Sequence, residues 1–129
     1  MKKLLGVIVA MGLLTILISL VAACGQSAAA SGPNQVHMND SNFTQPSITI
    51  KKGERITLVN DTAEIHIIEN GTWDDNGNAR AAKEPGAPTV DTQMNGYANQ
   101  QFGPFNTSGT FHLYCTVNPG MKVTIIVKP

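Results

Sequence analysis

Gly109-Thr110-Phe111-His112-Leu113-Tyr114-Cys115-Thr116-Val117-Asn118-Pro119-Gly120-Met121 leads into the apolar run Val123 to Val127. The order strand, tight loop, strand can be read from it directly. Phe111, Leu113 and Cys115 alternate with His112 and Tyr114, so an extended chain turns the first three to one face and the other two to the opposite face. That parity places Cys115 inward and His112 away from it. Pro119-Gly120 marks a turn, and the branched residues after it have the composition of a second strand.

Outward from this hairpin the chain is a series of short β-rich runs separated by Asn, Asp, Ser, Gly and Pro. Val36 to Met38, Ser47 to Ile50, Arg55 to Asn60, Glu64 to Asn70 and Tyr97 to Phe102 are the expected strands, and Lys51-Lys52-Gly53-Glu54 reads as a hairpin turn. Asp74 to Gly96 has no sustained helical period and reads as a loop. It is longer than ordinary connections, so it is either functional or carries short structure of its own. Trp73, just before it, is expected to cover one edge of the core. Short strands at regular spacing with almost no helical periodicity predict an all-β fold, a Greek-key antiparallel β-sandwich.

Met1-Lys2-Lys3, the apolar run Leu4 to Val21 and the small residues before Cys24 have the anatomy of an export signal. Val21-Ala22-Ala23-Cys24 resembles a bacterial lipobox. This implies a signal peptide over 1–23, lipid on Cys24, and a domain held by membrane lipid at the outer face of the cytoplasmic membrane. An uncleaved anchor is the competing reading, because the apolar run is longer than most cleaved signals. Residues 24–35, rich in Ala, Ser and Gly, read as a flexible tether, which leaves one domain over 36–129. The formal charge is zero; removing Lys2 and Lys3 leaves seven basic and nine acidic side chains, about −2. No basic patch points to nucleic acid.

With Cys24 assigned to lipid, Cys115 is a lone thiol in an oxidising compartment, where it needs protection. Metal ligation supplies it. A thiolate at a strand end, the thioether of Met121 six residues later, and an imidazole from elsewhere are the soft and borderline donors that select copper. His66 can supply the imidazole, although a lone His on an apolar strand is by itself more often structural. Thiol nucleophile chemistry, with His66 as base, lacks an oxyanion donor and an orienting third residue, so no enzyme is expected.

The 109–121 stretch resembles the C-terminal signature of plastocyanin and azurin type cupredoxins, in which Gly-x-aromatic-x-aromatic-Cys opens a loop of the form Cys-x-x-His-x-x-Met. The resemblance implies the sandwich fold, one copper ion, electron transfer to redox partner proteins, and His66, Cys115 and Met121 as ligands. His66 is implied to bind through the ring nitrogen nearer the backbone. Position 118 departs from the pattern: Asn118 replaces the second imidazole. An amide oxygen is a hard, weak donor with a shorter reach, so Asn118 is expected to be a weak or vacant ligand position, with water or a small anion on copper. His112 leaves the opposite face of its strand, and nothing brings His37 to the loop. Two functions follow, an electron carrier or a copper storage, delivery or sensing protein.

Overall fold

The computed structural model describes residues 32–129, so the expected signal peptide and Cys24 lie outside the described residues. Nine strands follow in order: β1 (Gln35–Met38), β2 (Ser47–Lys51), β3 (Ile56–Asn60), β4 (His66–Trp73), β5 (Ala79–Ala81), β6 (Asp91–Met94), β7 (Asn99–Phe102), β8 (Gly109–Cys115) and β9 (Lys122–Lys128). They form a small sheet in the order β1-β3-β7 and a larger one in the order β2-β9-β8-β4-β5, with β6 also on β4. The fold is the all-β sandwich that the alternation predicts.

Both sheets are mixed. β1 runs parallel to β3 and β2 parallel to β9, while the other pairs are antiparallel. Alternation dictates which face is buried but says nothing of which strand lies alongside. The same blindness explains Lys51 to Glu54. Read as a hairpin turn, it instead carries the chain from β2 in the large sheet to β3 in the small one, closed by Glu54 N–H to the Lys51 carbonyl and Lys51 N–H to the Glu54 carboxylate. The long segment after Trp73 contributes β5 and β6, both of which hydrogen-bond to β4. At the start, Thr57 hydrogen-bonds to the carbonyls of Pro33 and Asn34, tying the approach to β1 onto β3.

The inner faces meet in one apolar core. β8 contributes Phe111, Leu113 and Cys115, β9 contributes Val123, Ile125 and Val127, β4 contributes Ile68, and Val36, Met38, Ile56 and Leu58 oppose them from the small sheet. Burial of the large members contributes about 1.5–3 kcal/mol each.

Candidate metal centre

Antiparallel pairing of β4 with β8 sets Ile68 opposite Cys115, and alternation returns His66 to the same inward face two residues earlier. Both His66 and Cys115 are fully buried, and His66 Nδ1 lies 3.7 Å from Cys115 Sγ. The nitrogen nearer the backbone is thus the one that faces the sulfur. The loop after β8 then folds back: Cys115 N–H donates to the Met121 carbonyl at 3.0 Å and Met121 N–H to the Asn118 carbonyl at 3.1 Å. Met121, also fully buried, joins the same apolar cluster as Cys115.

Asn118 turns its amide oxygen toward the sulfur, accepting from the Cys115 thiol at 3.3 Å, and donates from Nδ2 to the Asp40 carbonyl at 3.1 Å. The structure therefore brings His66, Cys115, Asn118 and Met121 to one end of the sandwich. It keeps the other imidazoles away. His37 pairs with Asp61 at 2.8 Å, and His112 with Glu84 at 2.6 Å. Among the described residues no group of three or more His, Cys, Asp and Glu gathers that could hold a metal ion, so no carboxylate completes the set either.

This donor set fits a soft metal ion. His66 Nδ1 and Cys115 Sγ, 3.7 Å apart and both buried, are near enough for one ion to bind both at metal–nitrogen and metal–sulfur lengths of about 2.0 and about 2.3 Å. The Asn118 oxygen adds a second argument. It lies 3.3 Å from the sulfur, and once the thiol is ionised these two acceptors repel, which a cation between them would relieve. The His66 Nε2 atom is buried with no hydrogen-bond partner; its cross-strand neighbour is Met94 on β6, whose thioether is at best a weak acceptor.

Two neighbours were not legible in the sequence. Asp40 reaches the site only through its main-chain carbonyl, which no side-chain motif announces. Trp73, expected on the core edge, lies on the outer face of the large sheet instead. Its ring meets Tyr114 edge-on at 5.9 Å between centroids, and its Nε1–H donates to the Cys115 carbonyl at 3.1 Å. Burial pushes the Tyr114 hydroxyl above its ordinary pKa, and the Glu69 carboxylate beside it adds to the shift.

The copper-binding plastocyanin/azurin family matches residues 30–128, and the chain belongs to that family. Copper is the metal of this family, and the thiolate, imidazole and thioether are donors suited to it. Among solved structures, the reduced Cu(I) form of an amicyanin variant is similar with a TM-score of 0.58 and 20% identity, over 78% of this chain and 87% of that one. Amicyanin from Paracoccus versutus matches with a TM-score of 0.55 and 22% identity over 82% and 87%. A purple cupredoxin from Nitrosopumilus maritimus matches with 0.53 and 18% over 74% and 99%. At these identities the likeness shows the fold. No curated protein matches the chain.

Proposed function

We propose that this domain is a copper-binding electron carrier whose mononuclear site has three strong or moderate protein donors, His66, Cys115 and Met121, and a weakly held position at Asn118. The observation that carries the reading is the 3.7 Å approach of His66 Nδ1 to Cys115 Sγ at the buried end of a sandwich. Bound copper supplies one-electron chemistry between Cu(I) and Cu(II). The chain supplies a rigid frame: β4 and β8 hold His66 and Cys115 through sheet hydrogen bonds, and burial shields the sulfur on its core side. Such a frame keeps rearrangement small when the charge of the site changes. Ile65 and Val117, both exposed, flank the ligands in sequence and offer a redox partner protein apolar contact.

One observation favours the second reading, storage, delivery or sensing of copper. With Asn118 in place of an imidazole, the remaining donors are few and soft, a set that favours Cu(I). Voltammetry of the copper-loaded domain separates the two. A reversible one-electron wave is expected of a carrier; copper retained with no reversible wave would overturn that reading in favour of storage or delivery.

We further propose that lipid on Cys24 tethers the domain at the outer face of the cytoplasmic membrane, supported by the apolar leader and the Val21-Ala22-Ala23-Cys24 sequence. Stable attachment takes two or more acyl chains on that residue. Mass spectrometry of the mature N-terminus is the test: a diacylated Cys24 is expected, and an intact Met1 in the membrane fraction would refute it.

A further inference from the structure

We propose that Trp73 is a positioning residue of the copper site, acting on the thiolate ligand through the main-chain carbonyl of Cys115. The inference rests on the reading of Cys115 as the ligand.

The end of the β8–β9 ladder supplies the first step. Tyr114 pairs with Lys122, so Cys115 and Met121 come next, and a hydrogen-bonded antiparallel pair exchanges two bonds. Only one of them is made. Cys115 N–H donates to the Met121 carbonyl, but Met121 N–H turns back to the Asn118 carbonyl to close the loop. The Cys115 carbonyl therefore loses its ladder donor at the residue that carries the sulfur. A buried carbonyl left unpaired costs about 1–3 kcal/mol. The indole N–H of Trp73 fills this gap at 3.1 Å, within the buried region.

Trp73 gets there because β4 changes course. Gly71 has φ +136, and a side chain there would collide with the Arg80 carbonyl and the Tyr114 ring. The strand thus folds over the outer face of β8 at a position that favours glycine. Three contacts then hold Trp73: its pairing with Ala79 on β5, the Lys122 ammonium on its carbonyl at 2.9 Å, and the Tyr114 ring against its own. Protein contacts alone thus hold the ring and the N–H.

The consequence is electronic as well as mechanical. A donor aimed at the Cys115 carbonyl draws electron density away from the ligand residue, which favours the form with the extra electron, Cu(I). It also fixes the first peptide of the loop that carries Asn118 and Met121. Removing the N–H while keeping the ring is expected to lower the reduction potential, shift the sulfur-to-copper absorption band, and speed hydrogen exchange of the loop amides in the copper-free protein several-fold.

Trp73 is the chain's single tryptophan, so biosynthetic replacement by the benzothiophene isostere of tryptophan alters this position alone, keeps the bicyclic ring and puts a sulfur that cannot donate in place of the N–H. Trp73→Phe serves as a second variant that also shrinks the ring. Shifts in potential, band and loop exchange in the isostere support the proposal. If the isostere matches the unaltered protein while Trp73→Phe differs, the role is packing and the proposal is overturned. Absence of any sulfur-to-copper band in the unaltered protein would overturn the ligand assignment, and this inference with it.

Discussion

His66 and Cys115 are 49 residues apart in the chain, yet the imidazole Nδ1 stands 3.7 Å from the thiol sulfur. The β4–β8 pairing that achieves this is continuous with the core, since Ile68 and Cys115 are cross-strand partners and both are fully buried. The two side chains proposed as the strongest donors are therefore positioned by the same contacts that stabilise the sandwich, and metal binding is expected to ask little rearrangement of them.

Cys115→Ser is the direct check on that pair. The hydroxyl is close in size to the thiol, so the fold is expected to survive, but the only thiol among the described residues is gone. The intense sulfur-to-copper absorption is expected to vanish. A band of unchanged intensity in this variant would sink the assignment of Cys115 as ligand.

Leu113 tests how far the scaffold depends on the inward face of β8. It is buried between Phe111 and Cys115 along the strand, with 1% of its surface exposed. Leu113→Ala leaves a cavity and is expected to cost about 2–5 kcal/mol of stability. Denaturant unfolding of the copper-free domain measures it. A loss below about 0.5 kcal/mol, the range of ordinary surface substitutions, would contradict the packing described.

Asp74 predicts a pH response at the turn that follows Trp73. The Asn78 backbone N–H, foremost, holds its carboxyl down to about 2 from an ordinary 3.8; partial desolvation opposes the shift, and Arg80, the Asn78 side chain and Asn76 N–H reinforce it. Because the folded value is the lower one, the stabilisation is complete above 3.8 and is lost as pH falls through about 2. The amide signals of Asn76 and Asn78 are expected to stay constant through the usual carboxylate range and to move with a midpoint near 2. A midpoint at the ordinary value would mean that the turn does not hold the carboxylate.

Much of this arrangement is written in the alternation of the chain. Phe111, Leu113 and Cys115 on one parity are enough to put the thiol on an inward face, whereas His66 with Ile68 and Ile65 with Ile67 are equally apolar parities, and the structure is what turns His66 inward. Their neighbours are another matter. Strand order, the parallel pairing of β2 with β9, and the passage of Lys51 to Glu54 between sheets depend on long-range partners that periodicity does not encode. The fold-back of Trp73 depends on one backbone angle at Gly71, and an isolated Gly in a strand announces a bend without saying where the chain goes next.

Asn118 carries the last prediction. Its amide oxygen faces the sulfur while its nitrogen is held by the Asp40 carbonyl at 3.1 Å, so the side chain is anchored on the surface side of the site and is only partly buried. As a hard and weak donor it competes poorly for copper, and the loop residues around it, Val117, Pro119 and Gly120, are exposed. Small ligands are then expected to reach the metal from this side. Azide, halide or imidazole added to the copper-loaded protein is expected to shift its visible spectrum in a saturable way. Asn118→His fills the position with a stronger donor, so the same additions are expected to change that variant much less. The variant also loses the bond to Asp40, which separates two effects: amide exchange in the 39–42 turn reports the lost tether, and the spectrum reports the coordination. A spectrum indifferent to all three additives in the unaltered protein would mean that the Asn118 amide, or another protein group, closes the site.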